Sequence, residues 1–151
     1  MNRLGIGGIF SDMRKENKMK KLIQGIHHVA IRPTTQNYQR TISFYTEILG
    51  LEIINRWGTE EKPKCMISTG DNSCIEVLSG GKSDDLGEGA HSHLAFQTQS
   101  LEELVERVRS AGYEITTEPM EIVIEGEKPI PATIAFCKGP VSETIEFFQV
   151  K

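Results

Sequence analysis

Four side chains able to hold a divalent cation stand out in this sequence of 151 residues: His28, Glu76, His93 and Glu146. The histidines open two similar runs, His28-Val29-Ala30-Ile31-Arg32-Pro33 and His93-Leu94-Ala95-Phe96-Gln97-Thr98. The glutamates lie in matched tetrapeptides, Ile75-Glu76-Val77-Leu78 and Ile145-Glu146-Phe147-Phe148. A third match, Gly50-Leu51-Glu52-Ile53 with Gly112-Tyr113-Glu114-Ile115, falls between them in the same order, so the chain reads as two copies of one unit. Imidazole nitrogens and carboxylate oxygens at corresponding places of two copies make an N₂O₂ set for zinc, nickel, cobalt or manganese. The glutamates carry most of the weight. Each sits in a strand-like run whose two faces both look apolar, where an ionised carboxylate is costly unless paired or metal-bound. The bland alternative is a solvent-facing glutamate and a satisfied core histidine. Against it, all 4 histidines of the chain fall at the heads of the two corresponding runs, His27 beside His28 and His91 beside His93.

The elements that must position these residues follow from periodicity. In copy two, Leu101, Leu104, Val105, Val108 and Ala111 recur at three and four, one face of a helix. Ser100 with Glu103 has the form of a capping box, and Gly112 supplies a left-handed stop. Copy one offers Tyr38, Ile42, Tyr45 and Leu49 on a comparable face ending at Gly50, with Thr34, Thr35 or Asn37 as cap. The remaining β-rich runs predict strands over Ile26–Arg32, Leu51–Trp57, Lys64–Ser68 and Cys74–Leu78. Copy two gives Ser92–Thr98, Tyr113–Thr117, Thr133–Phe136 and Thr144–Val150, with Ile122-Val123-Ile124 as a further strand candidate. The order is βαβββ twice. Alternation places His28 with Ala30 and Arg32, His93 with Ala95 and Gln97, Glu76 with Cys74 and Leu78, and Glu146 with Thr144 and Phe148.

Composition narrows the class. With 38% hydrophobic and 25% charged residues and a net charge of −4, the chain has an ordinary globular make-up and no basic excess to hold a phosphate backbone, which argues against nucleic acid. Cys65, Cys74 and Cys137 are odd in number and form no C-x-x-C, so neither a disulfide framework nor a cysteine zinc site is indicated, and a cytoplasmic location fits. Residues 1–22 differ from the rest: Arg3, Arg14, Lys15, Lys18, Lys20 and Lys21 outnumber Asp12 and Glu16. We expect a poorly ordered basic extension there, with a peripheral membrane arm as the sharper alternative. The apolar patch from Leu4 to Phe10 is far below the ~20 residues of a membrane span. One domain over residues 23–151 is expected, with module one at about 23–80 and module two at about 90–151.

The ordered fragments Ile26-His27-His28-Val29-Ala30-Ile31, Phe44-Tyr45 before Leu49-Gly50-Leu51, Ile75-Glu76, His93-Leu94-Ala95-Phe96 and Ile145-Glu146-Phe147-Phe148 resemble the glyoxalase / bleomycin-resistance / dioxygenase superfamily, the vicinal oxygen chelate proteins. The resemblance implies an α+β fold in which two tandem βαβββ modules form a cupped, partly open mixed β-barrel with helices outside and a metal on the inner wall. It selects His28 over His27 and His93 over His91 as ligands. A complete His, Glu, His, Glu set looks most like glyoxalase I, a lactoylglutathione lyase acting on the hemithioacetal of methylglyoxal and glutathione or another thiol. The chemistry implied is proton transfer through a metal-stabilised enediolate, with Glu146 as base and Glu76 the symmetric alternative. Arg32 matches an arginine that glyoxalase I uses on a glutathione carboxylate. A methylmalonyl-CoA-epimerase-like enzyme or a non-catalytic small-molecule binding protein are the alternatives. Acidic residues in the connecting segments (Asp84, Asp85, Glu88, Glu121, Glu125 and Glu127) weigh against an anionic thiol if those loops rim the pocket. A homodimer is expected, and the ligand set belongs either to one chain or to two.

Overall fold

A computed structural model describes residues 26–85, 92–126 and 128–151. The expected basic extension, His91, Glu88 and Glu127 lie outside the described residues. The chain forms two mixed four-stranded sheets. The first contains β1 (His28–Ile31), β2 (Glu52–Gly58), β3 (Pro63–Ser68) and β4 (Cys74–Leu78), in the order β1-β4-β3-β2. The second contains β5 (Leu94–Gln97), β6 (Ile115–Ile124), β7 (Ile130–Lys138) and β8 (Thr144–Val150), in the order β5-β8-β7-β6. In each sheet the first and fourth strands run parallel and the other pairs antiparallel. Both sheets are open rather than closed, and the βαβββ order read from the repeat holds in each.

One helix follows the first strand of each module: α1 (Tyr38–Ser43), continued by a π-helical stretch Phe44–Ile48, and α2 (Leu101–Ser110). Tyr38, Ile42, Phe44 and Tyr45 from the first helix and Leu101, Val105 and Val108 from the second join Cys65, Ile67, Ile75, Val77, Ala135, Ile145 and Phe147 in one core. The sheet residues in that set occupy the faces opposite Glu76 and Glu146, so the helices back the sheets and leave the glutamate faces uncovered by them. Phe44 and Tyr45 are adjacent yet both fully buried. A regular α-helix turns adjacent side chains well apart, and the wider π turn, closed by Leu49 N–H to the Phe44 carbonyl at 3.1 Å, brings both into the core.

Several local expectations need correction. The capping box is not made: the Ser100 side chain accepts no cap hydrogen bond. Gln149 reaches from β8 instead, its Oε1 accepting the Leu101 N–H at 3.1 Å. Asn37 precedes α1 but makes no side-chain cap; its Nδ2 donates to the Pro140 carbonyl at 2.7 Å. Ala111, placed on the apolar face by spacing, is exposed. Gly112 has φ of 82°, the left-handed stop the sequence called for. β6 runs on to Ile124, through a register irregularity between Thr117 and Met120 that accommodates Pro119.

Candidate metal centre

The sheet register sorts the glutamate faces into cross-strand rows. In module one, Ala30, Glu76, Met66 and Asn55 lie side by side across the four strands. In module two the matching row is Ala95, Glu146, Phe136 and Thr117. His28 pairs in register with Cys74, one row before Glu76, and its Nε2 lies 3.7 Å from Glu76 Oε2. His93 stands immediately before β5, with Nε2 3.1 Å from Glu146 Oε2. The repeat therefore yields two equivalent His–Glu pairs, one on each sheet.

In both pairs the other imidazole nitrogen is occupied by the preceding residue. His28 Nδ1 is 2.8 Å from His27 Nδ1, and His93 Nδ1 is 3.1 Å from Ser92 Oγ. The His93 ring also meets Phe136 edge-on at 5.6 Å between centroids. Each Nε2 is thus aimed at its glutamate while Nδ1 is held from behind, the arrangement by which neighbouring groups orient a metal-ligating histidine. Sequence reading reduced His27 to a neighbour and missed Ser92; the only signal was that each precedes its histidine. Glu146 is more deeply set than Glu76, with side-chain exposures of 10% and 20%. Nitrogen and carboxylate oxygen facing one another at these separations suit a borderline divalent ion. Among the described residues no three His, Cys, Asp or Glu side chains come together, so one chain brings the four predicted ligands into two pairs and not into one group.

The modules meet through a buried polar contact that the sequence did not advertise. Tyr45, fully buried in the π turn, donates its hydroxyl to Glu143 Oε1 at 2.5 Å, and Val141 N–H donates to Oε2 at 2.9 Å. Gly139 makes room for that carboxyl, because a Cβ there would overlap it. Burial raises the Glu143 pKa, opposed by the Tyr45 and Val141 hydrogen bonds. Burial, with the Glu143 charge second, raises the Tyr45 hydroxyl well above the ordinary range, and the same two causes push Cys137 up to about 12. The three cysteines are free. Asn37 bonding to the Pro140 carbonyl and Phe44 packing edge-on to Tyr113 at 4.6 Å complete this junction.

The acidic connecting segments are partly structural. Asp84 accepts hydrogen bonds from the Thr34 N–H and Oγ1, both at 2.7 Å, and fixes the turn after β1; Glu121 pairs with Lys151. Arg32, the residue after β1, is exposed. Two clefts lie between the modules, one bordered by Leu49, Phe96 and Leu104 and one by Val29, Ile75 and Leu94; neither includes a His–Glu pair. No helix among the described residues is long and apolar enough to cross a membrane.

The profile of the glyoxalase/bleomycin resistance protein/dioxygenase superfamily matches residues 25–140. A lactoylglutathione lyase of Arabidopsis thaliana is 33% identical over 129 residues, covering 81% of this chain but only 43% of the relative, so the chain spans less than half the length of that protein. A lactoylglutathione lyase of Salmonella typhimurium is 30% identical over 123 residues, 75% of this chain and 84% of its own. The fosfomycin resistance protein FosX of Listeria monocytogenes is 31% identical over 111 residues, 70% and 78% of the two chains, so similar proteins carry other activities as well. Among solved structures, a glyoxalase I mutant of Zea mays superposes with a TM-score of 0.65 at 24% identity over 82% of this chain and 43% of that one. A manganese-bound FosX structure superposes with a TM-score of 0.61 at 20% identity over 85% and 93%, a likeness of fold. With two βαβββ modules, a repeated His–Glu pair and a profile match spanning most of the chain, the protein belongs to the glyoxalase/bleomycin resistance protein/dioxygenase superfamily.

Proposed function

We propose that this chain is a subunit of a divalent-metal lyase of the glyoxalase I type, acting on the hemithioacetal of a 2-oxoaldehyde and a low-molecular-weight thiol. The observation that carries the reading is the pair of equivalent His–Glu half-sites, His28 with Glu76 and His93 with Glu146. Each supplies one nitrogen and one oxygen, half of the four protein donors an N₂O₂ centre takes. Because module one's helix packs on the β7–β8 turn of module two through Tyr45 and Glu143, the glutamate faces remain available to a second copy. A homodimer in which module one of each copy faces module two of the other would complete two centres. The similarity to lactoylglutathione lyases supports this choice of chemistry over the rest of the superfamily.

A bound divalent ion would supply Lewis-acid stabilisation of the negative charge that develops on the substrate oxygens. The residues of the chain do the rest. His27 and Ser92 hold the imidazoles in place, and the apolar surroundings of Glu146, including Phe136 and Phe148, exclude water around its carboxylate. Glu146, the drier of the two, takes the proton from one carbon and returns it to its neighbour, with Glu76 the symmetric candidate. Arg32, which follows β1 and which the family resemblance puts on a carboxylate of the thiol, would receive that carboxylate.

The test is thioester formation from methylglyoxal by protein loaded separately with zinc, nickel, cobalt or manganese, in the presence of glutathione or other common thiols. Glu146→Gln should abolish most turnover while leaving unfolding nearly unchanged. Metal-loaded protein that forms no thioester with any thiol contradicts the proposal. Solvent deuterium entering the α-carbon of a CoA thioester would point to an epimerase, and tight ligand binding without turnover to a sequestering protein.

A further inference from the structure

The two sheets differ most in how far they run beyond their glutamates. In module one a single row, Leu78, Lys64 and Trp57, follows Glu76. The β2–β3 hairpin then closes in a polar turn, Thr59-Glu60-Glu61-Lys62, whose ends bond to each other at 3.2 and 3.3 Å. Module two runs on: the row Phe148, Ile134 and Met120 is followed by Val150, Ala132 and Ile122, and then by Ile130 and Ile124. β6 and β7 have 10 and 9 residues where β2 and β3 have 7 and 6. The two extra rows extend the hairpin by roughly 13 Å. Side chains alternate along a strand and register partners share a face, so all three rows lie on the face of Glu146. On that face Met120, Ile124, Ile130 and Val150 are 48%, 44%, 41% and 41% exposed. Elsewhere among the described residues the large exposed apolar side chains are Ile26, Ile54 and Val123. The three rows therefore present about 350 Å² of contiguous apolar surface, the size at which a patch on a single chain marks an interaction site.

We infer that the β6–β7 hairpin is a dimerisation arm, whose glutamate-side face closes over a second copy of the chain and holds the half-sites of the two copies together. This rests on the proposed assembly of each centre from two copies and adds what joins them. The apolar rows are continuous with the Glu146 row, so a protein surface that meets the His93–Glu146 half-site also meets the arm. Among the described residues one chain does not group its own four ligands, and the missing half of the centre is module one of another copy. The area agrees: two arms, each burying itself and an equal area of its partner, remove roughly 1,400 Å² from water, within the range of a specific dimer. A small ligand would cover only part of the three rows, and an anionic lipid surface is opposed by Glu118 and Glu121, the charged residues of β6. The contact is made by the face and not by adding a strand. β6 is an edge of its sheet, but Pro119 and the register irregularity beside it spoil that edge for pairing. Module one has no such arm, so each copy gives one and receives one, the isologous pattern of a two-fold dimer.

Neighbouring residues on opposite faces of the arm provide the test. Ile124→Glu and Ile130→Glu each put a carboxylate on the glutamate-side face, whereas Val123→Glu puts one on the other face, at a side chain 50% exposed. All three positions are exposed in the single chain, and urea unfolding at low protein concentration checks that each variant folds. The dimer dissociation constant of the full chain is measured by sedimentation equilibrium with and without Mn²⁺. Ile124→Glu and Ile130→Glu should each raise it roughly tenfold or more and together about 100-fold, as an unpaired charge in an apolar contact implies, while Val123→Glu stays within about threefold of wild type. Benzoylphenylalanine in place of Ile130 should, on irradiation, give a covalent dimer joined to residues 26–85 of the other copy. A monomeric wild type overturns the inference. So does a double variant that dimerises as tightly as wild type, a Val123→Glu variant that weakens the dimer equally, or a cross-link confined to one chain, such as to residues 1–22. Thioester formation is measured separately. A dimer broken by the glutamate-side variants but inactive with every thiol and metal keeps the arm and refutes the lyase, whereas an active dimer indifferent to those variants does the reverse.

Discussion

Replacing Tyr45 with phenylalanine removes a single hydroxyl from the junction between the modules. Tyr45 is fully buried and Glu143 only 5% exposed, so water cannot replace the 2.5 Å hydrogen bond that is lost. The carboxyl then keeps only backbone hydrogen bonds, that of the Val141 N–H among them. Leaving a buried carboxyl short of a donor costs about 1–3 kcal/mol, and the phenylalanine ring fills the same space, so no cavity adds to it. The pH dependence has a definite sign. Burial holds the folded Glu143 pKa above its ordinary 4.5, so this group's contribution is fully present below the unfolded value and is lost as pH rises through the folded one. Glu143→Gln, which cannot ionise, removes that loss: relative to wild type it gains stability as pH is raised above about 4.5, the unfolded value. Because the Tyr45 bond favours the ionised carboxyl, Tyr45→Phe raises the folded pKa further and deepens the loss toward neutral pH. Urea unfolding from pH 4 to 8 at one protein concentration reads both effects. A Tyr45→Phe variant within about 0.5 kcal/mol of wild type, with a pH profile parallel to that of Glu143→Gln, refutes the reasoning.

Three further outcomes follow from the geometry. Ser100→Ala should change stability by less than about 0.5 kcal/mol, because no Ser100 side-chain cap is made, whereas Gln149→Ala should cost about 1 kcal/mol by freeing the Leu101 N–H; urea midpoints separate the two. His27→Ala should weaken divalent-metal affinity roughly 10- to 100-fold in competition with a chelating dye, through loss of the group that orients His28, with little change in unfolding. Phe147→Ala, which empties a fully packed site in the shared core, should cost about 3–5 kcal/mol and lower the melting temperature whether or not metal is bound.

Much of the fold was legible because the repeat doubles every signal. β4 and β8 have the predicted bounds, since turns end the alternation of β4 on both sides and a turn leads into β8. Strand ends that depend on a partner were less readable. The predicted strand from Ile26 shortens to start at His28 because β4 begins at its register partner Cys74, and β6 outruns its prediction because β7 continues alongside it from Ile130. The strand predicted to end at Thr117 continues through a bulge at Glu118-Pro119. The first helix hid its π turn, which exists because two adjacent aromatics must both reach one core. The cap on α2 was beyond local reading, since its acceptor Gln149 lies 48 residues away in sequence. At the candidate site, the repeat picked out the four ligand candidates, and the structure sets them in two pairs. Glu143 went unnoticed because an acidic residue in a turn ordinarily faces water, and only the approach of module one's helix buries this one. The acidic segments carried less weight than their charge implied, because Asp84 and Glu121 have structural partners.

The central claim is that each metal centre joins the His28–Glu76 pair of one copy to the His93–Glu146 pair of another. Coexpression of chains bearing Glu76→Gln with chains bearing Glu146→Gln, followed by isolation of the mixed dimer, tests it most directly. Each homodimer then has a damaged half in every centre, whereas the mixed dimer regains one centre with all four native ligands only if centres are built across chains. The account predicts about one tightly bound ion per mixed dimer and none in either homodimer, with about half the wild-type turnover restored. A mixed dimer that binds metal no better than the two homodimers contradicts it.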